Sequence, residues 1–393
     1  MVTFLPTRPG RLADVPSFDR AIGGAESNVA CALAAAGHAV RWVSRVGADG
    51  FGDHLVEAVA SYGVDVSYVG RDPGRPTGVY FRTAGDRATD AHEVAYYRAG
   101  SAASAMSPAN VDAGALRAGR ILHLSGITAA LSQGCLGLLR ELTAPAGERP
   151  TLVSFDVNYR AGLWGSGDGA QILLELARRA DLVFVGEDEA EQAWGVTGGP
   201  SAVRELLPEP EVLVVKQGAK GATAFVSAAG RRGLLAQFPA PLTGRCPAAP
   251  LPATQLRAGV PQGGTGGRWG SPRPKAGGGA LPAPVSVPTP RPQPTVTFEP
   301  APTVDVVAPV GAGDAFAAGF LSGILRSLPL PQTLRLGHLF AAAALTTPAD
   351  LAPPPARDTT DRLTALDAGA WERLRLGPGW TEADAAEEEV RTL

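Results

Sequence analysis

From residue 20 to residue 227 the chain changes its hydrophobic period repeatedly. Short runs rich in Val, Leu, Ile and Phe, at 40–46, 120–125, 151–158, 181–186 and 211–217, alternate with helical stretches such as 26–36 and 52–62. Gly37 and Gly63 stop those two helices, as glycine does just past a helix end. Apolar strands separated by helices belong to a mostly parallel sheet covered on both faces. The chain is therefore read as α/β, one domain over 1–393. With 45% hydrophobic and 19% charged residues it has enough apolar material for a large core.

Three stretches break the alternation. Residues 64–100 carry short strands and Gly/Pro turns, the pattern of an antiparallel ribbon able to act as a lid. Residues 228–294 are dense in Pro, Gly, Ala and Arg with no readable period, and are expected to be a disordered insertion. The flanks GATAFV and TVTFEPAPTVDVV both read as strands of one sheet. The tail, 348–393, is Pro-rich and then acidic and is expected to pack only in part.

Some partners are disfavoured by composition. The net charge is −3 with both signs scattered, which argues against a nucleic-acid partner. No apolar run is long enough for a membrane span, and the start lacks the basic and apolar regions of a secretory signal. Cys31, Cys135 and Cys246 show no metal spacing and are read as reduced thiols, so a cytoplasmic location is expected. Cys31 is read as a small core residue.

Two glycine turns carry the chemistry. In Pro309-Val310-Gly311-Ala312-Gly313-Asp314 a strand ends, the chain turns, and a helix begins. A helix N-terminus offers unpaired N–H groups and partial positive charge, and small residues let a phosphate approach them. Asp314, at the edge of this cradle, can accept a proton from an attacking hydroxyl. The same residues also suit an ordinary N-cap after a glycine turn, and the motif alone does not choose. Phe316, Phe320, Leu321 and Ile324 form a helical apolar stripe, with Ala and Gly between them for close helix–sheet packing. In the second turn, Gly23-Gly24 precede a helix whose Asn28 can bond a hydroxyl.

Taken together, GGAESNVACALAAAG with VGADGFG, and then PVGAGDAFAAGF, resemble the two signatures of PfkB-type carbohydrate kinases. The resemblance covers about 8–227 and 295–347. It implies a ribokinase-like three-layer α/β sandwich with a small β lid, using ATP and Mg²⁺. It further implies that Gly311, Ala312 and Gly313 form an anion hole and that Asp314 is the catalytic base. GGAESN, the run from Tyr96 to Ala102, and Asp156-Val157-Asn158-Tyr159-Arg160 are similar to 2-keto-3-deoxygluconate kinases within the family.

Asp156, Asn158 and Arg160 alternate, which on a strand would place them on one face at its C-terminal end. Arg98 and Arg160 suit a sugar carboxylate, and Tyr80 and Tyr96 suit covering the sugar from the lid. The expected substrate-binding set is thus Gly23, Gly24, Asn28, Tyr80, Tyr96, Arg98 and Arg160. For ATP it is Asn158, Lys216, Gly218, Gly221, Gly311 and Gly313, with His338 and Ala342 near the adenine by analogy. Glu189 would organise Mg²⁺ through water. His123 is given no role. A homodimer through the lid is plausible on edge-strand grounds.

Three departures from the pattern stand out. The family's first strand, with its Gly-Glu pair, precedes the equivalent of Met1-Val2-Thr3-Phe4, so its loss would expose sheet edges, and a misassigned start codon would explain it. Ala308 replaces an Asp linked to a monovalent cation. Gly186 replaces the Asn of an N-x-x-E motif. These departures keep open a kinase of another sugar (fructose, ribose or a nucleoside) and an inactive binding homologue. No G-x-G-x-x-G follows the first strand, which disfavours an oxidoreductase.

Overall fold

Alternation along the strands lays out two buried layers. In chain order the strands are β1 (Val2–Pro6), β2 (Phe18–Ile22), β3 (Ser44–Gly47), β4 (Val69–Asp72), β5 (Val79–Arg82), β6 (Val94–Tyr97) and β7 (Ile121–Ser125). They continue with β8 (Leu152–Asp156), β9 (Leu182–Gly186), β10 (Val212–Lys216), β11 (Gly221–Val226), β12 (Thr295–Pro300), β13 (Thr303–Val304) and β14 (Arg375–Leu376). In β9, Val183 and Val185 enter one core while Leu182 and Phe184 enter the other. In β10, Leu213 and Val215 likewise oppose Val212 and Val214. A strand buried on both faces reads as a continuous apolar run, which is why these segments were legible.

This computed structural model describes residues 1–8, 10–83, 93–144, 151–164, 167–227 and 294–382. They belong to a unit formed by Met1–Ala240 and Gln293–Leu393. The expected insertion, apart from Pro294, lies outside the described residues, as do Cys246 and the end of the tail.

The main sheet has the order β12-β11-β10-β9-β8-β7. β7 to β10 are parallel, and β11 and β12 are antiparallel additions. One face is covered by helices Gln133–Leu142, Gly169–Arg178 and Gly199–Leu206, the other by Ala25–Ala35, Ala312–Leu325 and Leu330–Leu345. Phe184 meets Phe320 edge-on at 5.4 Å and Phe316 at 6.4 Å, which locks the Asp314-bearing helix onto the strand. Each such buried ring contributes roughly 1.5–3 kcal/mol over an exposed one.

Some expectations need correction. The glycines of helix Ala312–Leu325 serve helix–helix rather than helix–sheet contact: a Cβ at Gly319 would press on the Leu336 carbonyl, and one at Gly323 on Thr333. The lid is a four-stranded sheet, β2-β1-β5-β6, so the ribbon within 64–100 is joined by the first two strands of the chain. β4 leaves that ribbon and pairs in parallel with β3, and the expected strand 40–46 forms only near its end, within Ser44–Gly47. The tail, expected to pack only in part, does pack over its described stretch, where Trp371 and Trp380 are buried with Leu363, Leu374 and Leu376; its end lies outside the described residues. β7 forms one margin of the main sheet. Cys31 and Cys135 are buried free thiols, and burial pushes Cys31 up to about 12.

Candidate active site

The main parallel strands end on the side where the two glycine turns meet. Gly311 adopts φ 81, a left-handed conformation that disfavours any side chain. A Cβ there would also collide with the Asp350 carbonyl. The first helical bond runs from Ala315 N–H to Gly311 O at 2.9 Å. The N–H groups of Ala312, Gly313 and Asp314 thus precede the helical ladder, the arrangement that receives an anion.

Asn28 reaches the same point from helix Ala25–Ala35. Its Nδ2 donates to Asp314 Oδ2 at 2.9 Å across 286 positions of sequence. Burial pushes the Asp314 carboxyl up to about 7, with Asn28 pulling it down and the nearby charge of Asp156 adding to the rise. By accessible surface Asp314 is half-buried, because it opens into a cavity of about 1170 Å³ while protein encloses its other sides. A carboxylate that titrates near neutrality is suited to general base work.

Lys216, at the end of β10, sends its ammonium to Asp156 at 3.0 and 3.1 Å. Burial works against that ammonium, but Asp156 and then Glu189 raise it above the ordinary lysine value. Burial also raises Asp156, with Lys216 opposing. The two short contacts favour the ionised pair. A Cβ on Gly313 would stand 3.5 Å from Lys216 Nζ, so the cation borders the Gly311–Asp314 turn.

Lid residues close the other side. Tyr80 is buried and hydrogen-bonded to Asp350, and Gly23 leaves the room, since a Cβ there would strike both. Tyr96 packs on Tyr80 at 5.5 Å, and the Arg98 guanidinium lies 4.4 Å from the Tyr96 ring centre. Arg98 lines the cavity and has no carboxylate at ion-pair distance among the described residues. Gly24 takes φ 145 at the entry to its helix, and the terminal amine of Met1 donates to Gly23 O at 2.7 Å.

The expected shared face of Asp156, Asn158 and Arg160 does not form. β8 ends at Asp156, and Asn158 takes φ 44, so strand alternation no longer applies. Asn158 still lines the cavity, with its Oδ1 buried and unpartnered. Arg160 is held by Glu189 at 3.1 Å and by the Tyr159 carbonyl. Glu189 in turn accepts the Gly186 N–H at 2.8 Å, closing the start of helix Glu187–Trp194.

The remaining expected residues lie farther from this centre. Gly218 is exposed at φ 57. Gly221 has a packing reason for lacking a side chain, because β12 runs against it at Glu299 and Pro300. His338 is buried against the Glu299 carbonyl, and Ala342 is buried beside it on the same helix. His123 bonds Ser154 at 3.0 Å. Ala308 is buried, its N–H on Leu345 O.

Sequence reading missed Glu26, Arg82 and Asp350, all of which line the cavity. Glu26 follows the second glycine turn and was within reach of that motif. Asp350 sits in an unpatterned Thr-Thr-Pro-Ala-Asp stretch with no local signal.

Comparison with known proteins bears on the family. The pfkB family carbohydrate kinase profile matches residues 2–239 and 291–357. A 2-dehydro-3-deoxygluconokinase of Thermoproteus tenax is 34% identical over 220 residues, 55% of this chain and 66% of that protein. The match thus spans just under two thirds of that relative. Another from Bacillus subtilis (strain 168) is 27% identical over 361 residues, 91% of each. Fructokinase-1 of Oryza sativa subsp. japonica is 32% identical over 225 residues, 56% of this chain and 69% of that protein. The crystal structure of a PfkB protein from Polaromonas sp. JS666 superposes with a TM-score of 0.65 at 28% identity, covering 93% of this chain and 97% of that one.

Proposed function

Since this chain belongs to the pfkB family of carbohydrate kinases, and is an ATP-dependent sugar kinase by that membership, we propose that its substrate is 2-keto-3-deoxygluconate, phosphorylated at the 6-hydroxyl. The observation that carries the acid-sugar reading is Arg98, a cation in the cavity that feels the charge of Glu26 but has no carboxylate at ion-pair distance among the described residues. A planar guanidinium held over Tyr96 is suited to a sugar carboxylate, since its other compensation is the more distant charge of Glu26 and the aromatic face. Arg160, tied to Glu189, is a weaker candidate for that contact.

In this reading Asn28 orients the sugar through its free Oδ1 and holds Asp314 through Nδ2. Asp314 takes the proton of the attacking hydroxyl. The N–H groups that open helix Ala312–Leu325, with Lys216 beside them, offset charge growing on the transferred group. Tyr80 and Tyr96 cover the sugar and exclude water.

MgATP supplies the phosphoryl group. Mg²⁺ keeps several waters and would be held mainly by phosphates and water. Asn158, with a buried free oxygen, and Glu189 both line the cavity and fit a role in holding it. Glu189 would act through water.

The test is ADP release with Mg·ATP and 2-keto-3-deoxygluconate, fructose, ribose or adenosine, comparing wild type, Arg98→Ala and Asp314→Ala. The expected result is turnover of the keto-deoxy acid, a large rise in its KM in Arg98→Ala, and loss of turnover in Asp314→Ala. Turnover of fructose alone, indifferent to Arg98, would favour the reading suggested by the fructokinase relative. No turnover at all would favour a binding protein.

A further inference from the structure

Arg82, at the end of lid strand β5, is 3% exposed. An arginine so placed must find partners for its charge and its N–H groups, since burying it unpaired is costly. Its Nε lies 2.6 Å from Asp350 Oδ1, an ion pair by distance in which neither atom makes a hydrogen bond, and Asp350 is itself 2% exposed. Its Nη2 donates to the Pro348 carbonyl at 2.5 Å. Both partners belong to the loop that leaves helix Leu330–Leu345.

That loop bears on the reacting end of the site in three ways. The Asp350 carbonyl packs where a side chain of Gly311 would be, against the anion-receiving turn. The Asp350 carboxylate accepts the Tyr80 hydroxyl beside Gly23. The helix before the loop accepts the Val307 and Ala308 N–H groups at Leu345 O, at 2.7 and 3.2 Å. The turn therefore rests on the loop, and the loop is clamped to the lid by Arg82.

We propose that Arg82 is a positioning residue for phosphoryl transfer, acting through the 348–350 loop to hold the Gly311–Asp314 turn in register with the lid. It lines the cavity, but its ion pair and its hydrogen bond are both spent on the loop. Its planar fork engages a carbonyl and a carboxylate at once, which a lysine cannot reproduce. The inference rests on the kinase reading for its catalytic consequence but not for its structural one.

The experiment is amide hydrogen exchange of the full chain, followed over residues 307–315, in wild type and Arg82→Lys. The bonded N–H groups of Val307, Ala308 and Ala315 report on the turn. Exchange there should quicken about tenfold or more in Arg82→Lys, while amides of β9 and β10 keep wild-type rates. Turnover on whichever sugar the wild type accepts should fall about tenfold, with KM for ATP changed less than about twofold, because a small misplacement of reacting groups costs rate rather than binding. Should Arg82→Lys not fold, the neutral pair Arg82→Gln with Asp350→Asn carries the same exchange measurement. A folded variant with wild-type exchange over 307–315 overturns the proposal. A wild type that turns over no sugar counts against the substrate reading instead, and leaves the exchange result standing.

Discussion

If Asp314 is the base, the acid limb of the pH–rate profile belongs to it, and its position follows from the site. Burial pushes that carboxyl up to about 7 from an ordinary aspartate value of 3.8. Keeping it ionised there costs on the order of 4 kcal/mol relative to water. The Asn28 amide is the main opposing contribution, donating at 2.9 Å. A hydrogen bond to a charged acceptor is worth roughly 1.5–3 kcal/mol, so Asn28→Ala should raise the limb by about one pH unit or more. The assay is kcat/KM from pH 5 to 9 for wild type and Asn28→Ala. Wild-type activity should climb with unit slope to about pH 7 and then level. The variant should level about a unit higher, beyond any uniform loss from its missing sugar contact.

The same shift makes an independent statement about stability. The folded state holds the Asp314 proton more tightly than the unfolded state between 3.8 and about 7. Unfolding free energy from this group therefore falls as pH rises through that window. Asp314→Asn should thus raise Tm at pH 8 more than at pH 5. A wild-type limb near pH 4, or one that Asn28→Ala leaves in place, would refute the reasoning.

Other outcomes follow from the same structure. Lys216→Met should destabilise the fold by about 3–5 kcal/mol in chemical denaturation, because it strands the buried Asp156; adding Asp156→Asn should restore much of that stability while kcat stays about a hundredfold down. Burial lowers His338 to about 4, so its contribution is present above pH 6.5 and lost as pH falls toward 4; His338→Gln should flatten the fall in unfolding free energy between pH 7 and 5, measured by urea titration. Val226 pairs directly with Thr295 across β11 and β12, so replacing 228–293 by an Asn-Gly turn should shift Tm by no more than about 4 °C in calorimetry.

Period and turn chemistry alone determined the parallel strands, the helices between them and the two glycine turns. Val183 to Val185 and Leu213 to Val215 could be read because strands buried on both faces have little use for polar side chains. Gly311 could be read because few other residues tolerate φ 81 against a packed carbonyl. What the sequence could not supply was pairing across long separations. Asn28 with Asp314, Lys216 with Asp156 and Arg82 with Asp350 are contacts between elements far apart in the chain, and nothing local to either partner marks them. The backbone at Asn158 likewise departs from the strand its neighbours suggest, and Arg160 goes with it to Glu189. Local sequence sets which backbone states are cheap, but the value of a charged group depends on what folding brings within a few ångströms of it. The titration of Asp314 and the lack of a carboxylate partner for Arg98 among the described residues were therefore decided only when the chain closed on itself.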